Sequence, residues 1–529
     1  MKRILLLVFA VLSVTTINAQ DHFGAICFSQ NFYEGTARFT SMGGAFAALG
    51  GDFTSLSINP AGIGVYRGME FTFTPAISYS KTSSSFYNVS DVSDSRTRFG
   101  FSNMGLVAPI YTSGSSKGPV SLTVGIGYNK MNNYNSNASA IANNVIWEES
   151  MVENFVYQAN SLGYKVGDLE ANNAYGLFGP ADWAALMAWK NTLLYQNEVD
   201  PNNKYYDLDV TLHNHNKYAR TVSEGSIGEY VFSLGGNISH KLYFGLTVGI
   251  QDVNYKSYKY YGEVMHHQDA QNDLATFLYD QYYRTSGYGY NIKAGIIFRP
   301  VPELRLAFAA HTPTFFELTD EYSASQSANI IGYGWYDANS PTNFYDYRIN
   351  TPYKLIAGAA YTFKSYGLIS VDYEFVDYSS MRMKEHYDYV GTNGFDPNNQ
   401  IIKNTLSAAS NVRVGLEGNL PAGFSLRAGY SFYGSPYKKD LKDPAGYVPN
   451  ENGDITVPYY SMGIGDYSTD TYSAGIGYRF KYGFVDFAYS LAKNEVEYII
   501  DSYDDFGIMS PVTTKTDFNR FTLTLGLRF

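Results

Sequence analysis

The chain closes on FTLTLGLRF, residues Phe521–Phe529, in which Phe521, Leu523, Leu525, Leu527 and Phe529 alternate with Thr522, Thr524, Gly526 and Arg528. A strict period of two puts the first set on one face of a β-strand and the second on the other. Upstream stretches read the same way. Phe424, Leu426, Ala428, Tyr430 and Phe432 oppose Ser425, Arg427, Gly429 and Ser431; Ile369, Val371, Tyr373 and Phe375 oppose Ser370, Asp372 and Glu374; Val412, Val414 and Leu416 oppose Arg413, Gly415 and Glu417. The apolar faces are almost free of charge, as lipid demands, because one Arg or Lys at the bilayer midplane costs about 2–4 kcal/mol. The polar faces carry mostly Gly, Ala and Ser with isolated charges. That suits a crowded interior, whereas a soluble sandwich would turn Lys, Glu and Thr to water. In lipid an unpaired backbone group costs several kcal/mol, so such a sheet must close.

From Met69 onward alternating segments are joined by short turns at Gly114–Gly118, Ser239–Lys241, Pro300–Glu303, Phe363–Tyr366, Leu420–Gly423 and Phe480–Tyr482. Long polar loops join them at 82–96, 133–224, 263–283, 323–346, 384–403, 437–466 and 501–514. Counting between these gives 14 strands, with short connections at one end and long ones at the other, the asymmetry of an outer-membrane barrel. The expected fold is all-β: a 14-stranded antiparallel transmembrane β-barrel over residues 69–529, with partly helical extracellular loops. Within 133–224, Ile146–Leu162 and Pro180–Leu194 have helical spacing, and Trp147, Trp183 and Trp189 supply a small core for a cap.

The start of the chain agrees. Residues 1–19 combine Lys2 and Arg3, an apolar run from Ile4 to Val14 and a small residue at Ala19, a secretory signal peptide in form. A net charge of −11 argues against a nucleic-acid partner. Charged residues are only 16% and aromatics 17%, with 50 Tyr, a residue suited to the lipid–water boundary. The lone Cys27 excludes a disulfide framework.

Chemistry for catalysis is missing from the sequence. No GxSxG elbow or Ser–His–Asp order is present, and the paired glycines lack the Lys-Ser/Thr of a phosphate loop. His213-x-His215 and His266-His267 have no cysteine or helical His nearby. No enzyme activity, cofactor or metal is expected. The polar faces do carry charges of both signs, among them Arg305, Asp372, Glu374, Arg413, Glu417, Arg427 and Asp486. Mixed signs favour pairing with one another and with an enclosed plug over a single-sign selectivity ring.

The plug is read in Gly35–Gly68, GTARFTSMGGAFAALGGDFTSLSINPAGIGVYRG. This stretch has neither a helix-length apolar face nor a strand, has permissive backbone points at Gly43-Gly44 and Gly50-Gly51, and ends in the turn Asn59-Pro60-Ala61-Gly62. Gly35-Thr-Ala-Arg38, Met42-Gly-Gly-Ala-Phe-Ala-Ala48, Gly51-Asp52, Ser55 and Asn59-Pro-Ala-Gly62 together resemble the N-terminal hatch of FadL/TodX-type outer-membrane transporters. Weaker matches lie at Phe298-Arg-Pro300 with Leu304-Arg-Leu306, at His311-Thr-Pro-Thr314 and at Asp372–Ser379. Ile63 stands where that family often has Leu, and the insertion after the third strand has no counterpart in its ligand-capping loops.

The resemblance implies a hatch over residues 20–68 inside the barrel. It implies passive uptake of long-chain fatty acids or similar hydrophobic molecules across the outer membrane of a Gram-negative bacterium, with lateral release where a strand kinks. Gly43, Gly44, Asn59, Pro60, Ala61 and Gly62 are the implied gating positions, with Asn59 fixing the hatch turn against the wall. Expected partners are a hydrophobic ligand, outer-membrane lipid and the insertion machinery that reads a terminal Phe529, with the barrel a monomer. Two other readings stay open at this point: a surface-binding adhesin or receptor using the loops at 133–224 and 437–466, and a general porin.

Overall fold

The computed structural model describes residues 22–145, 150–161, 163–196, 205–207, 214–265, 274–387, 393–438, 448–449, 455–456, 467–498 and 512–529. The signal-peptide residues, Trp147, His213, His266 and His267 lie outside them.

Fourteen wall strands form one closed antiparallel sheet: β1 Glu70–Phe86, β2 Val89–Thr112, β3 Pro119–Asn133 with an upper arm Ser136–Val145, β4 His215–Ile238, β5 Leu242–Met265, β6 Leu274–Val301, β7 Leu304–His311 resuming as Phe315–Ile330, β8 Asn343–Asn350 resuming as Lys354–Phe363, β9 Gly367–Asp377, β10 Ala408–Asn419, β11 Phe424–Tyr433, β12 Thr469–Phe480, β13 Gly483–Tyr498 and β14 Val512–Arg528. The barrel closes where β1 pairs with β14, from Glu70↔Arg528 to Phe86↔Val512. The alternation sorts the faces as lipid requires. On β14, Phe521, Leu523, Leu525 and Leu527 are exposed while Thr522 and Thr524 are buried in the lumen. Exposed aromatics gather near the short turns, at Phe363, Tyr366, Phe424, Tyr478, Phe480 and Tyr482, a girdle at the lipid boundary.

The short turns fall where the sequence places them, but the long loops are shorter than it indicates. The β3 arm and the start of β4 occupy 136–145 and 215–224, β1 and β2 run through most of 82–96, and strand Gly334–Asn339 returns along β7 within 323–346. A transmembrane strand needs only about 9–11 residues, whereas β6 has 28. The surplus continues the wall into water, where neither face must be apolar and the alternation fades.

This extended wall carries the cap. The helix expected at Ile146–Leu162 is Met151–Ser161, and the one expected at Pro180–Leu194 is Trp183–Lys190, with Pro180 in the turn before it. Phe155 packs on Phe277 at 5.7 Å, and Gln326 donates to the Ala184 carbonyl at 2.8 Å.

The principal core lies inside the barrel. The N-terminal segment from Gly24 to Gly68 runs through the lumen as helix α1 (His22–Ser29), helix α2 (Ala37–Ser41) and two 3-10 turns, Phe53–Ser57 and Pro60–Val65. Met42, Phe46, Ala47, Ala48, Leu56, Ile58 and Ile63 are fully buried against the wall. Wall glycines make the room. A Cβ on Gly105 would overlap the Phe53 ring, one on Gly245 the Pro60 carbonyl, and one on Gly429 the Gly43 nitrogen. The Gly-rich polar faces are the negative of the segment they enclose.

Candidate functional site

The turn Asn59-Pro60-Ala61-Gly62 opens the second 3-10 helix. Asn59 caps it, its Oδ1 accepting from the Ala61 N–H at 3.0 Å, with Pro60 at the first helical position, where its missing N–H costs nothing. The Asn59 amide donates in two directions, to Ala47 O within the segment at 2.8 Å and to Ile296 O of β6 at 3.2 Å. Gly62 lies against Gly50, where a Cβ would come within 2.9 Å of the Gly50 Cα. Gly43 and Gly44 both adopt positive φ, +60° and +74°, and Gly43 lies against the β11 backbone at Tyr430.

The lumen charges divide by what they touch. Arg305 donates to Leu49 O at 2.5 Å, Asp372 accepts from the Ala47 N–H at 2.8 Å, and Glu417 receives Arg38 of the segment at 2.8 Å. Arg413 pairs with Glu374 at 2.7 Å and lies over the Tyr33 ring, 5.6 Å from its centroid. Arg427 bridges Glu417 and Asp486 at 2.7 and 2.6 Å, linking both to Arg38 of the segment through Glu417. Further contacts are equally close, among them those of Glu229, which is not among the charges singled out in the sequence. Glu229 accepts from Ser57 at 2.7 Å and pairs with Lys293 at 2.6 Å; His311 bonds the Ile58 carbonyl at 2.8 Å; Thr524 accepts from the Ala37 N–H at 2.7 Å. Lys293 and Thr524 lie on the polar faces where the alternation places them, and Glu229 is marked by the same signal on β4.

The backbone ladder between β2 and β3 does not run all the way up the wall. The β2–β3 ladder runs from Thr112↔Ser121 to Asn103↔Asn129 and stops. Above that point the backbone of the β3 arm ladders with β4, from Ser136↔Ser223 to Val145↔His215, and the arm meets β2 through side chains, Arg96 donating to Asn137 Oδ1 at 3.1 Å and Ser139 to Asp94 at 3.0 Å. The arm leans inward across β1, whose buried Ser80 and Thr82 donate to the carbonyls of Asn135 and Asn137 at 3.1 and 2.6 Å. On the lipid side the unpaired β2 edge carries Phe99, 73% exposed, and Phe101.

Behind this break sits the N-terminal segment. Asn132 of β3 donates to Gln30 O at 2.6 Å and accepts from the Phe32 N–H at 3.0 Å, and Glu34 N donates to Lys130 O at 2.9 Å. The Glu34 carboxylate gathers Arg520 of β14 at 2.9 Å, Lys130 at 3.7 Å and Ser102 of β2 at 3.2 Å. Burial opposes its charge, but Arg520 and Lys130 more than offset this and hold its pKa below the usual carboxylate value. Just above, Phe28 makes edge contacts with Tyr134, the first residue past the lower arm of β3, and with Tyr255, at 6.4 and 6.1 Å. A narrow cavity beside the segment is lined by Phe28, Tyr33, Lys293, His311 and Lys354. The segment thus lies inside the lumen and behind the end of the β2–β3 ladder.

No protein-family model and no curated protein sequence matches the chain. Solved structures do. A FadL homologue from Pseudomonas aeruginosa aligns at 12% identity over 94% of this chain and 100% of its own, with a TM-score of 0.52. A deltaS2 mutant of the TodX monoaromatic hydrocarbon channel aligns at 12% identity over 93% and 98%, with a TM-score of 0.50. The Pseudomonas putida toluene transporter TodX aligns at 11% over 94% and 99%, with a TM-score of 0.48. In fold, this chain is a FadL/TodX-like multi-pass barrel of the outer-membrane type.

Proposed function

We propose that the protein takes up hydrophobic small molecules, long-chain fatty acids or compounds of similar character, across the outer membrane and releases them sideways at the β2–β3 break. The observation that carries this reading is the interrupted ladder backed by a removable segment. A molecule in the lumen would reach a lipid-facing edge rimmed by Phe99 and Phe101 by displacing residues 30–34, which are held by hydrogen bonds, the Glu34 ion pairs and the cations over the Tyr33 ring, and by parting the side-chain bonds from Asp94 and Arg96 to the β3 arm. Each CH₂ buried along such a path contributes about 0.8 kcal/mol, so an acyl or aromatic ligand needs no energy source to enter. The aromatic contacts of Phe28, Tyr134 and Tyr255 offer rings to the ligand body, and Lys354, 2.9 Å from Asn31 Oδ1, offers an ammonium group to a carboxylate head. Asn59 and the glycines at 43, 44 and 62 hold the rest of the segment while its upper part moves.

The test is saturable binding of a fluorescent fatty acid by the purified barrel, compared with a variant lacking residues 20–68. Binding lost on deletion, with the barrel still folded, supports the reading. Rapid swelling of liposomes in sugars by the intact protein would replace it with a porin. Binding that survives the deletion would move the ligand site to the cap on the extended wall, the arrangement of a surface-binding protein.

A further inference from the structure

On the side of the short turns, beneath the N-terminal segment, a cavity of about 400 Å³ opens toward the periplasm. Five guanidinium groups line it, those of Arg38, Arg67, Arg305, Arg479 and Arg528, against a single carboxylate, Glu70. Two are already engaged: Arg528 pairs with Glu70 at 2.7 Å and Arg38 with Glu417 at 2.8 Å. Arg305 gives one nitrogen to the Leu49 carbonyl, and its buried Nε has no partner. Among the described residues Arg67, Arg305 and Arg479 meet no carboxylate within ion-pair distance. This concentration of positive charge runs against a chain of net charge −11. Arg67 and Arg479 are exposed and Arg305 is half-buried, so the three can reach an anion that enters the cavity, and the planar fork of Arg matches the two oxygens of a carboxylate or phosphate. Leu49, Val65, Met69 and Leu368 give the cavity an apolar wall beside them.

We propose that this periplasmic mouth is a binding site for the carboxylate or phosphate group of an amphiphile, the arginines taking the head and the apolar walls the first carbons of the tail. The site stands apart from the β2–β3 break and does not depend on the uptake reading. Two sources share this chemistry, a fatty acid and a phospholipid headgroup of the inner leaflet.

The experiment titrates the mature protein in a non-ionic detergent with octanoate, octyl phosphate, inorganic phosphate and octan-1-ol by calorimetry, for the wild type and for Arg67→Gln/Arg479→Gln. The anionic amphiphiles are expected to bind saturably, and the double variant to bind them at least about tenfold more weakly, while octan-1-ol shows no dependence on the substitutions. Stronger binding of octyl phosphate than octanoate assigns the headgroup source, and the reverse order the fatty acid. Because octanoate can also enter the upper lumen, only the part of its binding that the double variant removes counts for the mouth. Arg299→Gln, which removes one nearby guanidinium that serves the Pro302 carbonyl and does not line the cavity, is the off-site control and should leave affinity close to that of the wild type. Affinities equal in wild type and double variant, an equal loss with Arg299→Gln, or no saturable binding of any anion would overturn the proposal, whatever the outcome of the fatty-acid assay.

Discussion

Glu34 and Arg520 meet at 2.9 Å behind the point where the β2–β3 ladder stops, an ion pair between the first fifteenth of the chain and its last strand. Glu34→Gln keeps the shape and removes the charge. With charged hydrogen bonds contributing about 1.5–3 kcal/mol, residues 30–36 should exchange their amide protons at least tenfold faster in the variant, while β14 keeps its protection.

The same group sets an acid limit. A carboxyl whose folded pKa lies below its unfolded value adds stability that is complete above the unfolded value and is lost as pH falls through the folded one. The Glu34 pKa is lowered from 4.5. Protection of residues 30–36 should therefore be flat from neutral pH down to about 5 and fall below about 4.5. In Glu34→Gln that fall should be absent. A decline beginning near neutral pH in the wild type would point to another group.

At Asn59 the order of substitutions separates two roles. Were it only a helix cap, Asp would serve as well as Asn, and Ala would cost about 1 kcal/mol. Its amide also donates to Ala47 O and Ile296 O, and Asp would turn an oxygen toward those two carbonyls. Asn59→Asp should therefore loosen residues 37–65 at least as much as Asn59→Ala, by about 1–3 kcal/mol, read as protease sensitivity of the N-terminal segment in a barrel that still runs as folded in an unheated gel. An Asp variant indistinguishable from wild type would reduce Asn59 to a cap.

How far the sequence alone carries the fold follows from which solvent each residue meets. Lipid imposes one chemistry on every second residue, so β10, β11 and β14 are readable residue by residue, and so are the turns between them. Past the membrane the rule lapses: Ser136–Val145 is a strand, yet SNASAIANNV is as polar as any loop. The β2–β3 break is harder still, because it depends on which neighbour an arm pairs with, and Lys130–Asn135 contains no proline or glycine to mark the bend. Asn59-Pro60-Ala61-Gly62 announces itself by its turn residues. Glu34 does not, since Gln30–Glu34 is held by partners some 100 and 490 residues away and has no periodicity of its own.

The fit between wall and segment should be intolerant of one methyl group. Gly429 of β11 lies against the Met42–Gly43 backbone, where a Cβ has no space. Gly429→Ala should destabilise the seated segment by about 1–3 kcal/mol through overpacking. Gly418 on the adjacent strand has only the Leu426 carbonyl, 4.0 Å away, near its would-be Cβ, so in a urea titration that reads release of the segment Gly429→Ala should lower the midpoint and Gly418→Ala should be silent. Equal effects from the two would mean that the loss arises in the wall.

Arg427 and Arg38 share Glu417 but should fail differently. Arg427 is 4% exposed and holds two buried carboxylates, Glu417 and Asp486. Removing one partner of a buried pair leaves a charge without compensation and costs about 3–5 kcal/mol. Arg427→Met should therefore lower the stability of the whole barrel, seen as a reduced midpoint in heat-modified gel migration. Adding Asp486→Leu should restore much of it, because one of the stranded charges is then gone. Arg38→Gln leaves Glu417 paired with Arg427, so its cost should be smaller and confined to the N-terminal segment, with the barrel midpoint unchanged. If Arg38→Gln lowered that midpoint as far as Arg427→Met does, the segment would have to be a structural keystone of the barrel, and a movable plug would be ruled out.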